Sequence, residues 1–130
     1  MVLGLDESEL GQDAREAAKA AGLAVQADPQ PQRMRFVRSD QYNFIKEGIP
    51  ALALQVGYEP GSPEAAISAK WTAERYHAPS DDLQQPFDRS AAGRFVEIMR
   101  DLAVRIANRA TRPKWHESSF FRRFSKDARE

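Results

Sequence analysis

Three clusters in this 130-residue chain group side chains of types that do chemistry. The first is Arg38-Ser39-Asp40-Gln41-Tyr42-Asn43-Phe44, followed by Gly48-Ile49-Pro50-Ala51-Leu52. On its own it reads as a capped helix start, a glycine stop and a core strand, since Ser and Asp satisfy free amides at a helix N-terminus. An Arg and an Asp two residues apart at a strand-to-helix turn also suit ligand binding, because ligands gather at that edge of an α/β sheet. The second cluster is Arg75-Tyr76-His77-Ala78-Pro79-Ser80-Asp81-Asp82. A neutral imidazole is a common zinc ligand, and a ligating His usually donates its other N–H to a carboxylate or carbonyl. Asp81 or Asp82 is placed for that. The spacing alone favours a solvated loop histidine beside a Pro-Ser-Asp turn, since one His and some Asp do not make a metal signature. The third cluster is Trp115-His116-Glu117-Ser118-Ser119-Phe120-Phe121-Arg122-Arg123-Phe124. Aromatics among arginines bind nucleic acid or membrane surfaces, or pack back onto their own domain. The run is short and its basic surplus small, which favours packing. His77 and His116 are the only imidazoles, and His116 reads as a surface residue.

Composition removes several other chemistries. There is no Cys, so disulfides, thiol nucleophiles and thiolate metal sites are excluded. Lys plus Arg number 19 and Asp plus Glu 19, and the zero net charge excludes a strong global pull toward nucleic acid or anionic membrane. The basic surplus is local, with eight bases against four acids in residues 101–130. No apolar run reaches the roughly 20 residues of a membrane helix. Phosphate-cradling glycine loops, Gly-x-Ser-x-Gly elbows and His-Glu-x-x-His are missing from the sequence.

The elements that must carry the clusters follow from periodicity. Residues 1–5 are apolar, too short for a signal peptide, and read as the inside of a strand. Leu10, Ala14, Ala17, Ala18 and Ala21 share one face of a helix expected over residues 8–21, with Gly22 as its C-cap. A short strand is expected at 23–27, a break at Asp28-Pro29-Gln30-Pro31, and extended chain at 35–37. A short helix after Ser39-Asp40 runs to Glu47 and ends at Gly48. Residues 50–56 read as a buried strand covered on both faces. Residues 57–87 hold four prolines and two glycines and read as a long functional loop. Phe95, Ile98, Met99, Leu102 and Ile106 form the apolar stripe of a helix expected over 88–110, capped by Asp88. Strands alternating with helices make the class α/β.

Read together, the first two clusters resemble the C-terminal half of the co-catalytic zinc aminopeptidase family, which includes bacterial leucyl aminopeptidases and relatives of glutamate carboxypeptidase. Residues 38–44 are similar to its Ser-Asp-His-x-x-Phe block. Lys46-Glu47-Gly48-Ile49-Pro50-Ala51-Leu52 is similar to the helix-turn-strand that follows there. Tyr76-His77-Ala78-Pro79-Ser80-Asp81 is similar to its Tyr-His-x-Pro-x-Asp block. The opening Leu3-Gly4-Leu5-Asp6-Glu7-Ser8-Glu9-Leu10 resembles the preceding strand and helix, so the likeness covers most of residues 1–115. It implies a truncated zinc-exopeptidase-like fold, part of a mixed sheet flanked by helices. It also implies peptide-bond hydrolysis by a water activated between two zinc ions, with a glutamate as general base. Under the resemblance His77 is a zinc ligand and Tyr76 stabilises the oxyanion. Arg38 lies near bound substrate, Asp40 is a supporting residue, and Asp81 orients the His77 loop.

The chain departs from the family pattern in two respects. Gln41 stands where the block has His. The family's other ligands (a His, a bridging Asp, a Glu and another Asp) and its general base belong to an N-terminal half without counterpart here. The expectation is therefore a C-terminal fragment, inactive alone. Residues 1–112 would be catalytic-domain structure and residues 113–130 a basic aromatic tail. The partners expected are a peptide substrate in the parent enzyme and a second copy through a truncated sheet edge, with no nucleic acid and no transmembrane segment. Relatives are often exported, and no residue here records a destination. The alternative is a non-catalytic α/β binding module that uses the tail for a partner.

Overall fold

Residues 1–125 are described by the computed structural model. In chain order the elements are β1 (Val2–Leu3), α1 (Leu10–Ala20), α2 (Gln41–Lys46), β2 (Ala53–Leu54), α3 (Pro63–Glu74) and α4 (Arg89–Ala107). Short 3-10 turns lie at Pro31–Arg33, Arg35–Val37 and Phe120–Phe124. β1 and β2 pair antiparallel, Val2 opposite Leu54 and Leu3 opposite Ala53. The Met1 amine donates to Gln55 O and Gln55 N donates to Met1 O, both at 2.9 Å. The architecture is helix-rich α/β, and its sheet among the described residues is an antiparallel pair where a mixed sheet was expected.

Helix α1 forms because its small apolar residues recur at helical spacing. Leu10, Ala14, Ala17 and Ala18 are buried, and Ala14 and Ala17 pack in one cluster with Val2, Leu5 and Leu102 of α4. Alanines on this face let the two helices approach closely. Gly22, at φ +70°, ends α1 as expected. Leu23 N donates to Ala18 O and Gly22 N to Lys19 O, the paired bonds of a left-handed C-cap. Across the α1–α4 seam, Arg109 reaches both Asp13 and Glu9 at 2.8 Å, and Arg105 bonds Asp101 at 2.8 Å and Glu16 at 3.4 Å. The hydrogen bond and charge of Asp101 raise the Arg105 pKa further. Asp88 caps α4, its Oδ1 accepting from Ala91 N at 3.0 Å. Only Leu102 of the α4 stripe is buried. Two strands of two residues cover one turn of a 19-residue helix, so Phe95, Ile98 and Ile106 are half-buried and Met99 is exposed.

Four sequence expectations need correction. Residues 23–27 are not a strand: they give β1 one bond, Val2 N to Gln26 O at 2.8 Å, and one bond does not make a ladder. The 50–56 strand contracts to Ala53–Leu54 because β1 offers it only two partners. Arg35–Val37 is a 3-10 turn instead of extended chain. Met34, at φ 52°, reverses the backbone, and the Phe36 ring packs edge-on against Phe121 at 5.3 Å. Tertiary packing overrides β propensity there. The largest miss is α3, inside the stretch read as irregular. Ser62 Oγ accepts from Ala65 N at 3.2 Å and Pro63 occupies the first turn, where its missing N–H costs nothing.

The segment after α4 packs back onto the body. Trp115 is buried and pairs with Ser8 in an isolated bridge. His116 N donates to Glu7 O at 2.9 Å, and Glu9 N to Lys114 O at 3.0 Å. Phe121 lies 5.5 Å from Trp115 and 5.6 Å from Phe120. Arg123 stacks over Phe120 at 3.5 Å. Residues 126–130 of the expected tail lie outside the described residues.

Candidate functional site

The Tyr76-His77 loop is built from its own polar bonds. Helix α3, which delivers it, carries no buried residue, so no core contact shapes the loop from below. Arg75 N and Tyr76 N both donate to Trp71 O and end the helix. Arg75 Nη1 donates to Ser80 O at 2.5 Å, and Ser80 Oγ donates to Glu74 O at 2.6 Å. Asp82 Oδ1 accepts from Gln84 N at 2.9 Å and lies 3.9 Å from Arg75. Backbone bonds Ala78 N to Arg75 O and Asp81 N to Ala78 O close two successive turns at 2.9 and 3.0 Å. The chain passes through His77 at φ 57°, left-handed for a residue with a Cβ.

That backbone presents an aromatic pair to solvent. The His77 imidazole stacks on the Tyr76 ring at 3.9 Å between centroids and 22° between planes. Tyr76 tilts against Trp71 at 5.8 Å. Tyr76 is 54% exposed and His77 is exposed. Asp81 Oδ1 accepts from Gln85 Nε2, so its link to His77 runs through the loop frame and not through a bond to the ring.

Arg38 and Asp40 belong to a different turn. Both are exposed. Asp40 occupies the N-cap of α2 without a side-chain cap bond. Gln41, at the position where the family block has His, donates from Nε2 to Phe36 O at 2.7 Å and fixes the 35–37 turn. Gly48, at φ +81°, ends α2. The structure thus brings Tyr76, His77 and Asp81 together on one loop. Among the described residues no hydrogen bond, ion pair or ring contact joins that loop to Arg38 or Asp40. Two residues that sequence reasoning passed over, Trp71 and Gln85, belong to the loop frame. The signal for Trp71 was the Ser62-Pro63-Glu64 helix start, which would have put it on the last turn of a helix leading into Tyr76.

A catalytic zinc takes three protein ligands and keeps a fourth position open. Among the described residues no three His, Asp or Glu side chains gather as a metal site. The residues present therefore do not fit a catalytic zinc by themselves. No helix among the described residues is long and apolar enough to cross a membrane.

Comparison with known families places the sequence among the metallopeptidases. The chain belongs to peptidase family M28, whose family model matches residues 2–103; the family is zinc-dependent. The match spans α1, α2, α3 and the Tyr76-His77 loop and ends within α4. No curated protein and no solved structure gives a match.

Proposed function

We propose that this chain contributes to a two-zinc aminopeptidase site, with His77 as a metal ligand and Tyr76 as the donor that stabilises the oxyanion. The observation that carries the reading is the exposed imidazole of His77, stacked on Tyr76 and raised on a self-bonded loop inside the family match. A ligand must be open to the ion, and an oxyanion donor must be fixed before the charge develops. Both side chains meet those conditions. Arg38, exposed at the turn before α2, is assigned to the substrate, with Asp40 supporting that turn. Asp81 holds the loop through Gln85. The β1–β2 pair is assigned as part of a larger zinc-exopeptidase sheet.

With one assigned ligand and no cluster among the described residues, we assign the chain no turnover on its own. The carboxylate ligands and the general base come from outside the described residues in this reading. The chain also associates with a second copy through β2. In an antiparallel ladder successive residues turn their amides to alternate edges. Gln55 bonds Met1, so the Leu54 and Leu52 amides point away from β1.

The test is hydrolysis of aminoacyl anilides by the purified chain with zinc, with and without chelator, beside His77→Ala. The expected result is no turnover in any sample, with millimolar zinc shifting the His77 resonances in the NMR spectrum of the parent chain. Chelator-sensitive turnover that His77→Ala lacks would overturn the inactivity and keep the ligand. A zinc titration that leaves His77 unmoved would overturn the ligand.

A further inference from the structure

We propose that Trp71 and Gln85 are positioning residues that hold the Tyr76–His77 pair in its presented geometry. The proposal rests on the reading of His77 and Tyr76 given above, and names what fixes them.

The starting point is a conformation that needs a cause. His77 has φ 57°, and a side chain with a Cβ enters that region only when its surroundings over-determine it. The hydrophobic core does not supply the constraint, since α3 has no buried residue and both Tyr76 and His77 face solvent. The constraint must lie within the loop.

A closed chain of contacts does lie there. His77 stacks on Tyr76, and Tyr76 tilts against Trp71. Trp71 Nε1 donates to Gln85 Oε1 at 2.6 Å. Gln85 Nε2 donates in turn to Asp81 Oδ1 and to Asp82 O, the latter at 3.1 Å. Asp81 N donates to Ala78 O, directly after His77. The amide of Gln85 thus bonds both the helix side of the loop, at Trp71, and its far side, at Asp81 and Asp82, beside the Arg75 and Ser80 bonds that join the helix end to Ser80 and Asp82. Without it Trp71 loses its bond, and the far side of the loop is held to the helix end only by the Arg75 and Ser80 bonds, which leave the Asp81 side chain and the indole unlinked. His77 can then relax to negative φ, which turns the imidazole off the Tyr76 ring. Loss of three exposed hydrogen bonds shifts such a two-state loop by roughly tenfold.

The experiment is NMR on the whole chain. It compares ring-to-ring cross-peaks between Tyr76 and His77, and the His77 amide-to-Hα coupling, in the parent, Gln85→Ala and Trp71→Phe. Gln85→Ala removes all three bonds of the amide. Trp71→Phe keeps a ring against Tyr76 and removes only the N–H. From a parent loop about ten to one in favour of the presented state, Gln85→Ala is expected to lower the Tyr76–His77 cross-peaks about twofold and move the His77 coupling toward its negative-φ value, with Trp71→Phe changing both in the same direction by less. Cross-peaks between Ala17 and Leu102 report that the α1–α4 core is unchanged. Parent-like ring cross-peaks and coupling in both variants would overturn the proposal. A change in Gln85→Ala alone would overturn the part assigned to Trp71. A parent-chain zinc titration separates the two readings. A His77 signal blind to zinc defeats the ligand reading while the loop data stand, and a zinc response with unchanged loop geometry in both variants defeats only the positioning.

Discussion

Trp115 Nε1 donates to Gly48 O at 3.1 Å, joining the segment after α4 to the end of α2 across 67 residues of sequence. The indole is buried, and its ring meets Phe121, which in turn meets Phe36. One side chain therefore fixes both the turn before β2 and the aromatic run that follows. Trp115→Phe, which keeps most of the apolar area and loses the donor, is expected to cost about 1 kcal/mol. Trp115→Ala is expected to cost about 3–5 kcal/mol. Urea unfolding measures both, and equal costs for the two variants would show that the hydrogen bond and not the packing holds the seam.

Two glycines separate backbone strain from that same seam. Gly22 and Gly48 both sit at positive φ and both end helices. A Cβ on Gly22 meets nothing within 4 Å, whereas one on Gly48 lies 2.7 Å from Phe124 O. Gly22→Ala is expected to cost about 1–2 kcal/mol, for conformation only. Gly48→Ala adds a clash with main chain and is expected to cost about 2–4 kcal/mol. The difference in urea midpoint between the two variants is the measurement. Its disappearance after truncation at Pro113 would assign the excess to the tail.

Arg109 is the charge that matters for the α1–α4 seam. It is 24% exposed and bonds Asp13, itself 13% exposed, as well as Glu9. Removing the guanidinium leaves two carboxylates together with Asp13 partly desolvated. Arg109→Met is expected to cost about 1–3 kcal/mol. Arg15, whose ion pair with Asp6 is open to water on both sides, is the control, and Arg15→Met is expected to stay within about 0.5 kcal/mol. Thermal unfolding of the two variants side by side tests the ranking, and a larger loss for Arg15→Met would invert it.

The sequence exposed some of this arrangement and hid the rest for identifiable reasons. The helices α1, α2 and α4 were legible because Leu10, Ala14 and Ala17, the Ser39-Asp40 start and the Asp88 cap are local signals. So were the two stops, since Gly22 and Gly48 follow their last helical residues. Helix α3 was hidden because Pro60 and Pro63 were read as breakers, although Pro63 after Ser62 is a starting signal. The 35–37 turn was hidden because its cause, Phe36 against Phe121, spans 85 residues. His77 and Tyr76 were legible as candidates from their motif. The ring that frames them was not, because Gln85 bonds Trp71 only once α3 is in place.

The N-terminal amine gives a pH dependence with a definite sign. Met1 donates to Gln55 O, and burial lowers the amine's pKa below its ordinary 8.0. Between the lowered folded value and 8.0 the unfolded chain binds more protons than the folded one, so stability rises with pH across that window. Below the window both states are protonated and the whole cost of holding the cation in the sheet remains. Above it both are neutral and the cost is gone. Urea unfolding through this window is expected to show the rise, and acetylation of Met1, which abolishes the charge and keeps a donor, is expected to flatten it. A parent chain whose stability falls over the same range would contradict the assignment.

The outer edge of β2 bears on the oligomeric state. Amides that point away from a two-residue partner form a template for another strand, and a two-stranded sheet is marginal in water. An edge that pairs with its own copy across a twofold axis does so antiparallel, each strand offering the other the same donors and acceptors. Leu52 and Leu54 are half-buried beside that edge and Val56 is 72% exposed at its end. The groove that opens there, between β2, α4 and Trp115, has Glu47 and Glu117 as well as Arg112, Lys114 and Arg122 among its lining residues. Such a mixed rim lets two copies meet without like charge facing like charge throughout. Sedimentation velocity at tens of micromolar is expected to show a dimer for the parent chain. Val56→Lys places a strongly hydrated cation on the pairing edge at the strand end, and is expected to weaken association by about tenfold or more without changing the urea midpoint measured at low concentration. A parent chain that sediments as a monomer, or a Val56→Lys variant that dimerises as tightly as the parent, would remove β2 from the interface and leave the groove to a different occupant.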